Sequence, residues 1–310
     1  MAFEPATRGP IFGRIALLGV KGAMNTYAAL VFGSFLARMM GKSLAVIDSG
    51  SGRYTDKYTD LFSFDRELLG DHSPEGFIKA IGEANRSGKY GCLVIANVSD
   101  EWGFITQEKS KFGDWKTLTP RHEKFMDSIF NCSMHVIVVA DARTKHDQRP
   151  MMKDGKPVME NGRPKQEVIN LGVQAIQRVG TESRFDLTGL MDAYHNLSIR
   201  KTECQALPTG TVFKEPGDEV SRLLHDFFTF GSRPDDITKK RMRQFYMLME
   251  YAEDHGVYGD RLRQLGQQVC GKPDPRFWTI PDIALVKEGI DRLTNPQAAQ
   301  DVQKDAAKGS

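Results

Sequence analysis

The chain has 310 residues, 40% of them apolar, and a formal net charge of +2 from 42 Lys and Arg against 40 Asp and Glu. That length suits one large domain plus a smaller one with a sizeable core, and the charge balance neither demands nor excludes nucleic acid. Cys92, Cys132, Cys204 and Cys270 stand far apart with no C-x-x-C pair, which argues against a zinc site and fits a reducing compartment. No apolar run reaches the roughly 18 residues of a membrane span. The N-terminus lacks a signal peptide's apolar core, so a cytoplasmic protein is expected.

Strand and helix patterns alternate from the start. "IALLG" reads as a buried strand, and the helix "NTYAALVFGSFLARMM" follows, stopped by Gly41. "SLAVID" is a second strand. "SPEGFIKAIGEANRSG" is a helix with Ser73 as N-cap and Pro74 at its first position. "CLVIAN" is a third strand. Thr119 and Pro120 repeat the cap-and-proline start for a helix through "TPRHEKFMDSIFN", and "HVIVVAD" is a fourth strand. Strand, helix, strand at this spacing predicts crossover units on a mostly parallel sheet. Unbroken apolar strands are what burial on both faces produces.

Beyond Asp141 the texture changes. Asp154-Gly155 and Asn161-Gly162 predict hairpin turns. "RFDLTGLMDA" and "NLSIRKTEC" read as strands, so antiparallel strands are expected at the sheet edge. The helix "GDEVSRLLHDFFTFG" follows. From Ser232 a short linker leads into helices only, "ITKKRMRQFYMLMEYAEDHG", "YGDRLRQLGQQVCG" and "IPDIALVKEGIDRLT". The expected division is a nucleotide-fold domain over 1–231, a helical domain over 232–294 and a frayed tail over 295–310.

The turn between the first strand and first helix sits where a phosphate loop would. A P-loop reads G-x-x-x-x-G-K-[ST]. Here the positions read Gly19-Val20-Lys21-Gly22-Ala23-Met24-Asn25-Thr26. Met24 stands at the second glycine and Asn25 at the lysine. From this motif alone, a tight turn explains Gly19 and Gly22 as well as a phosphate site does.

The order of blocks resembles the RecA-like P-loop ATPases of bacteriophages, relatives of phage recombination ATPases. The blocks are "RIALLGVKGAMNTYAAL", "LAVIDSGSGRYTDKYTDLFSFD", "CLVIANVSDEW", "WKTLTPRHEKFMDSIFNCSMHVIVVADARTKHD" and "RFDLTGLMDAYHNLSIRKTECQAL", spanning about residues 10 to 230. The resemblance implies an α/β RecA-like core with antiparallel edge strands and a small helical C-terminal domain. It also implies a vestigial nucleotide site at Gly19, Lys21, Gly22, Asn25 and Thr26.

The departures carry as much information. Asn25 brings no charge to the β- and γ-phosphates. Ala96 falls where the family's Walker B strand has an aspartate that helps hold Mg²⁺, with Asn97 adjacent. Gly50 falls where the family has a glutamate that positions the attacking water. A hydrogen bond to a charged group is worth ~1.5–3 kcal/mol, and phosphoryl transfer rests on positioning and electrostatics. With two or three such groups missing, a pseudo-ATPase is expected, with ATP or ADP and Mg²⁺ held weakly if at all.

The role that follows from the resemblance is in phage DNA replication and recombination. It would involve single-stranded DNA, or phage or host proteins, and self-assembly into a homo-oligomer. Arg143 and Lys145 match a block that reaches DNA or a neighbouring subunit. The rivals are a weak ATPase using Lys21 and Glu101, and a pure interaction protein such as an inhibitor of a host machine. Asp100 and Glu101 follow a strand end, a suitable place for a metal or a base, although a structural or loop role for Glu101 explains it equally. Ser99 and His122 have no visible third partner for a triad. The histidines show no metal-binding spacing.

Overall fold

The computed structural model describes residues 9–111, 114–153, 156–160, 163–231 and 234–294. Of residues 111, 145–149, 152–153, 156–157, 163, 166 and 168–171 the backbone alone is described. The predicted turn residues Asp154-Gly155 and Asn161-Gly162, the start of the linker and the tail lie outside the described residues.

The first half alternates strand and helix: β1 (Arg14–Gly19), α1 (Asn25–Met39), β2 (Ser43–Asp48), β3 (Asp65–Leu68), α2 (Pro74–Ser87) and β4 (Tyr90–Ile95). Then come α3 (Ser99–Lys111), α4 (Trp115–Phe130) and a long β5 (His135–Pro150). Four short strands form two hairpins: β6 (Met152–Lys153) with β7 (Lys156–Pro157), and β8 (Met159–Glu160) with β9 (Arg163–Pro164). The chain continues through β10 (Gln166–Ala175), β11 (Leu187–Met191), β12 (Asn196–Thr202), β13 (Val212–Lys214) and α5 (Asp218–Phe230). It ends in α6 (Asp236–Asp254), α7 (Gly259–Cys270) and α8 (Ile280–Thr294).

The main sheet runs β13-β12-β11-β1-β5-β4-β2-β3, with β10 paired to β5. From β11 to β3 every neighbouring pair is parallel, while β12 and β13 are antiparallel at one edge. The expected mostly parallel α/β sheet with antiparallel edge strands is what the chain forms. Burial explains it. Ile15 and Leu17 of β1 enter one core layer with Leu30, Phe32 and Leu36 of α1 and Leu224 and Phe228 of α5. Ala16 and Leu18 enter the opposite layer with Phe77 and Ile81 of α2 and Phe125 and Ile129 of α4. Both faces of β1 are covered, so no polar alternation is tolerated.

β5 outruns the expected strand. Its first part pairs with β1 and β4, and from Ala142 to Pro150 its partner is β10, across a register shift between Asn170 and Val173. The second correction concerns α4. Thr119 and Pro120 do not start it: Asp114 caps the helix, its carboxylate accepting from Lys116 N at 3.1 Å, and Pro120 lies inside. An aspartate cap satisfies otherwise orphaned N–H groups. The first turn is further held by Trp115, whose ring stacks on Trp102 at 5.8 Å. α2 starts as predicted, with Ser73 Oγ accepting from Gly76 N and Pro74 next.

α6, α7 and α8 bury Phe245, Leu248, Leu262, Val286 and Ile290 together with Phe35 and Met39 of α1 and Phe230 of α5. Trp278 sits in the same cluster, fully buried, its indole N–H donating to Lys272 O at 2.8 Å. No helix among the described residues is long and apolar enough to cross a membrane.

Candidate functional site

Parallel strands end on a common edge, and the loops there form the crevice in which α/β sheets place ligands. Gly19 is in register with Asp141 across β1 and β5, and Ile47 with Ile95 across β2 and β4. Over these ends lies a cavity of about 530 Å³, bounded by the loop Val20–Thr26, by Arg53, Tyr54 and Lys57, and by Asn97, Asp100 and Asp141.

The β1–α1 loop is a tight turn with Ala23 N donating to Val20 O at 3.1 Å. Gly22 has φ 88 and Met24 has φ 60 with ψ 30. Met24 thus occupies, with a side chain, a left-handed position that favours glycine. Asn25 opens the helix, and its side chain folds back toward β1. A Cβ on Gly19 would lie 2.1 Å from Asn25 Oδ1, so only glycine leaves room for this amide. Asn25 is 8% exposed, and its Oδ1 has no hydrogen-bond partner. Lys21 is exposed on the loop, and Thr26 borders the cavity one residue into α1.

The facing wall is a hydrogen-bonded network. Asn97 Nδ2 donates to the Tyr54 hydroxyl at 3.0 Å and to Asp141 Oδ2 at 3.3 Å. Tyr54 donates to Asp100 Oδ2 at 3.4 Å, and Ser49 Oγ donates to the same oxygen at 2.6 Å. Ser99 N donates to Asn97 Oδ1, and Asp141 N to Ser99 Oγ, each at 3.0 Å. Burial, with Asp100 and Asp141 nearby, raises the Tyr54 pKa above its ordinary value and keeps the phenol protonated. Asn97 and Ala96 are each 1% exposed, so the position matched to the Walker B aspartate is apolar. Gly50 is fixed by sterics: a Cβ there would meet the Tyr54 ring at 2.7 Å. An acidic side chain has no room where the resemblance places one.

Glu101 does not reach this cavity. It lies on α3, not in a loop, and is 0% exposed; both carboxylate oxygens contact His122 Nδ1, at 3.1 and 3.2 Å. Ser99 serves the strand-end network instead of a triad. Arg143 is exposed on β5 opposite Gln174, outside the cavity, and the Lys145 backbone lies further along that strand. No cluster of three or more His, Cys, Asp or Glu fit to hold a metal occurs among the described residues. Two carboxylates, Asp100 and Asp141, line the cavity, and one or two carboxylates are what Mg²⁺ uses when it arrives with a ligand's phosphates.

No protein-family model matches the chain, and no curated protein matches it. The chain is similar to a KaiC-like protein from Pyrococcus horikoshii OT3, a hyperthermophilic archaeon. That solved structure aligns at 13% identity and a TM-score of 0.35, over 63% of this chain and 81% of that one. A likeness so slight supports no conclusion about activity.

A second, larger cavity of about 850 Å³ lies along the outer face of α1, floored by Tyr27, Val31 and Phe35 and walled by Phe62, Met191 and Glu215. Met24 borders both cavities. Sequence reasoning missed Arg53, Tyr54, Lys57 and Asp141 as site residues. The signal that could have found them was their position, after the apolar strands "SLAVID", "CLVIAN" and "HVIVVA".

Proposed function

We propose that the chain is a RecA-like nucleotide-fold protein that binds a phosphorylated ligand at the β1–α1 loop and does not turn it over efficiently. The carrying observation is the Asn25 side chain, uncharged and folded onto Gly19, at the head of a cavity where Ala96 replaces the metal-binding carboxylate. Backbone N–H groups at a helix start attract an anion, and Lys21 adds charge. ATP or ADP with Mg²⁺ is the ligand class this favours. The phosphates would rest on the loop, and the base would enter the adjacent aromatic-floored cavity past Met24. The burial of Glu101 against His122 weighs against a residual ATPase that uses it.

The role that the resemblance supplies is in phage-type DNA replication and recombination, in the cytoplasm, through single-stranded DNA or a protein partner, with homo-oligomer formation. In this reading 1–231 is the nucleotide-fold domain, 232–294 an accessory helical domain, and Arg143 and Lys145 touch DNA or a neighbouring subunit. Two assays test it. Phosphate release from Mg²⁺–ATP should stay at background, and abundant turnover would overturn the pseudo-ATPase reading. Single-stranded DNA retention should fall steeply with added salt, and absence of retention at low salt would remove DNA from the proposal.

A further inference from the structure

Asn25 leaves a charge deficit in the cavity, and the loop after β2 carries two cations that could fill it. Arg53 and Lys57 both border the cavity, and both are exposed. None of the ion pairs among the described residues involves Arg53, Lys57 or Lys21. Lys57 Nζ lies over the Tyr58 ring, 5.1 Å from its centroid, which orients the ammonium without neutralising it. These three cations line the same cavity as the carboxylates Asp100 and Asp141, so the formal charge around it is positive by one.

The loop that carries them is built rather than loose. Asp48, 0% exposed, accepts from Gly50 N at 2.8 Å and from Thr55 Oγ1 at 2.6 Å. Arg66 donates to Thr55 Oγ1 at 2.8 Å and to Asp56 at 2.5 Å. Arg53 Nε donates to Gly50 O at 3.0 Å, which fixes the base of the guanidinium and leaves its terminal nitrogens to meet a ligand. Ser51 at φ 55 and Gly52 at φ 92 put consecutive residues in the left-handed region. A non-glycine residue held there marks backbone strain of the kind found at ligand clamps. Tyr54 ties the loop across the cavity to Asn97 and Asp100.

We infer that the loop 49–58 is a preorganised cation clamp, in which Arg53 and Lys57 neutralise the phosphates that a P-loop lysine would otherwise meet. The inference rests on the phosphorylated-ligand reading above and adds the residues that give the site its charge. Arg53 offers a planar fork to phosphate oxygens, whereas Lys57 offers a point charge. The ligand class is a di- or triphosphate ester gripped from two sides, by loop 20–26 and by loop 49–58.

The test is calorimetric titration of the full chain with inorganic pyrophosphate and with ADP, comparing wild type, Arg53→Ala, Lys57→Ala, the double variant and Arg53→Lys. Each alanine should weaken both ligands by roughly 10- to 100-fold, as removal of a charge-assisted hydrogen bond does. Arg53→Lys should recover part of the loss, a result that a folding defect would not produce. Wild-type binding that survives unchanged in the double variant would overturn the clamp and leave the nucleotide reading standing. Absence of wild-type binding to either ligand at millimolar concentration would overturn both.

Discussion

Met24 enters α1 at φ 60, a region that costs an L-residue with a Cβ about 1–2 kcal/mol. Met24→Gly should therefore raise stability by ~1 kcal/mol, read as a shift of the urea midpoint at constant slope; a drop in stability would show that the side chain's packing between the two cavities outweighs the strain. Asn25 makes the opposite test. Asn25→Lys places a charge where the resemblance expects one, while Ala96 and Gly50 still offer no carboxylate. Nucleotide affinity should rise by about tenfold while phosphate release stays at background, and recovered turnover would mean that charge alone was missing. Glu101 and His122 form a buried pair with no route to the ligand. Glu101→Ala should cost ~2 kcal/mol, the usual penalty for orphaning a buried hydrogen-bonding group, and leave ADP affinity unchanged. Weakened affinity at unchanged stability would return Glu101 to the site.

At the level of elements, the strands buried on both faces and the helices with a Ser-Pro or glycine boundary were readable, because local chemistry and tertiary burial agree there. Where they diverge, the sequence misleads. "DREL" of β3 carries no apolar pattern, since it is an edge strand held by parallel pairing to β2 and by the Lys89–Asp65 ion pair at 2.5 Å. Thr119-Pro120 looks like a helix start, but Asp114 and the Trp115–Trp102 stack begin α4 earlier. α3 goes unread: Asp100 and Glu101 look like a metal, base or loop position after a strand end, whereas they form the acidic first turn of a helix, a favourable placement against its dipole. The site was half legible: the β1–α1 loop stands in one stretch of sequence, whereas its opposite wall is assembled from the ends of three strands by sheet order alone.

For the molecule as a whole, two buried histidines tie stability to pH. His135 accepts from Gly13 N at 2.9 Å, and His225 meets the Tyr246 hydroxyl at 2.7 Å where α5 packs on α6. Burial lowers both pKa values below the ordinary 6.5, Asp226 beside His225 opposes part of the shift there, and Arg276 adds to it at each. Below that pH the unfolded chain takes up protons that the folded chain refuses. Their stabilising contribution is full above pH 6.5 and declines as pH falls toward the folded pKa values, by up to ~1.4 kcal/mol per pH unit per histidine. Urea midpoints between about pH 7 and 5 should fall accordingly, and His225→Gln should flatten the slope; a midpoint insensitive to pH in this window would contradict the burial argument.

The central claim is that the cavity at the strand ends binds a nucleotide's phosphates and has lost the means to cleave them. One sample tests both halves: calorimetric titration with Mg²⁺–ATP, followed by measurement of phosphate released in the same cell. The account predicts saturable binding in the micromolar range, weakened in Lys21→Ala, and no phosphate above the protein-free control. Sustained phosphate release over many turnovers, or the absence of any binding heat at high protein concentration, would contradict it.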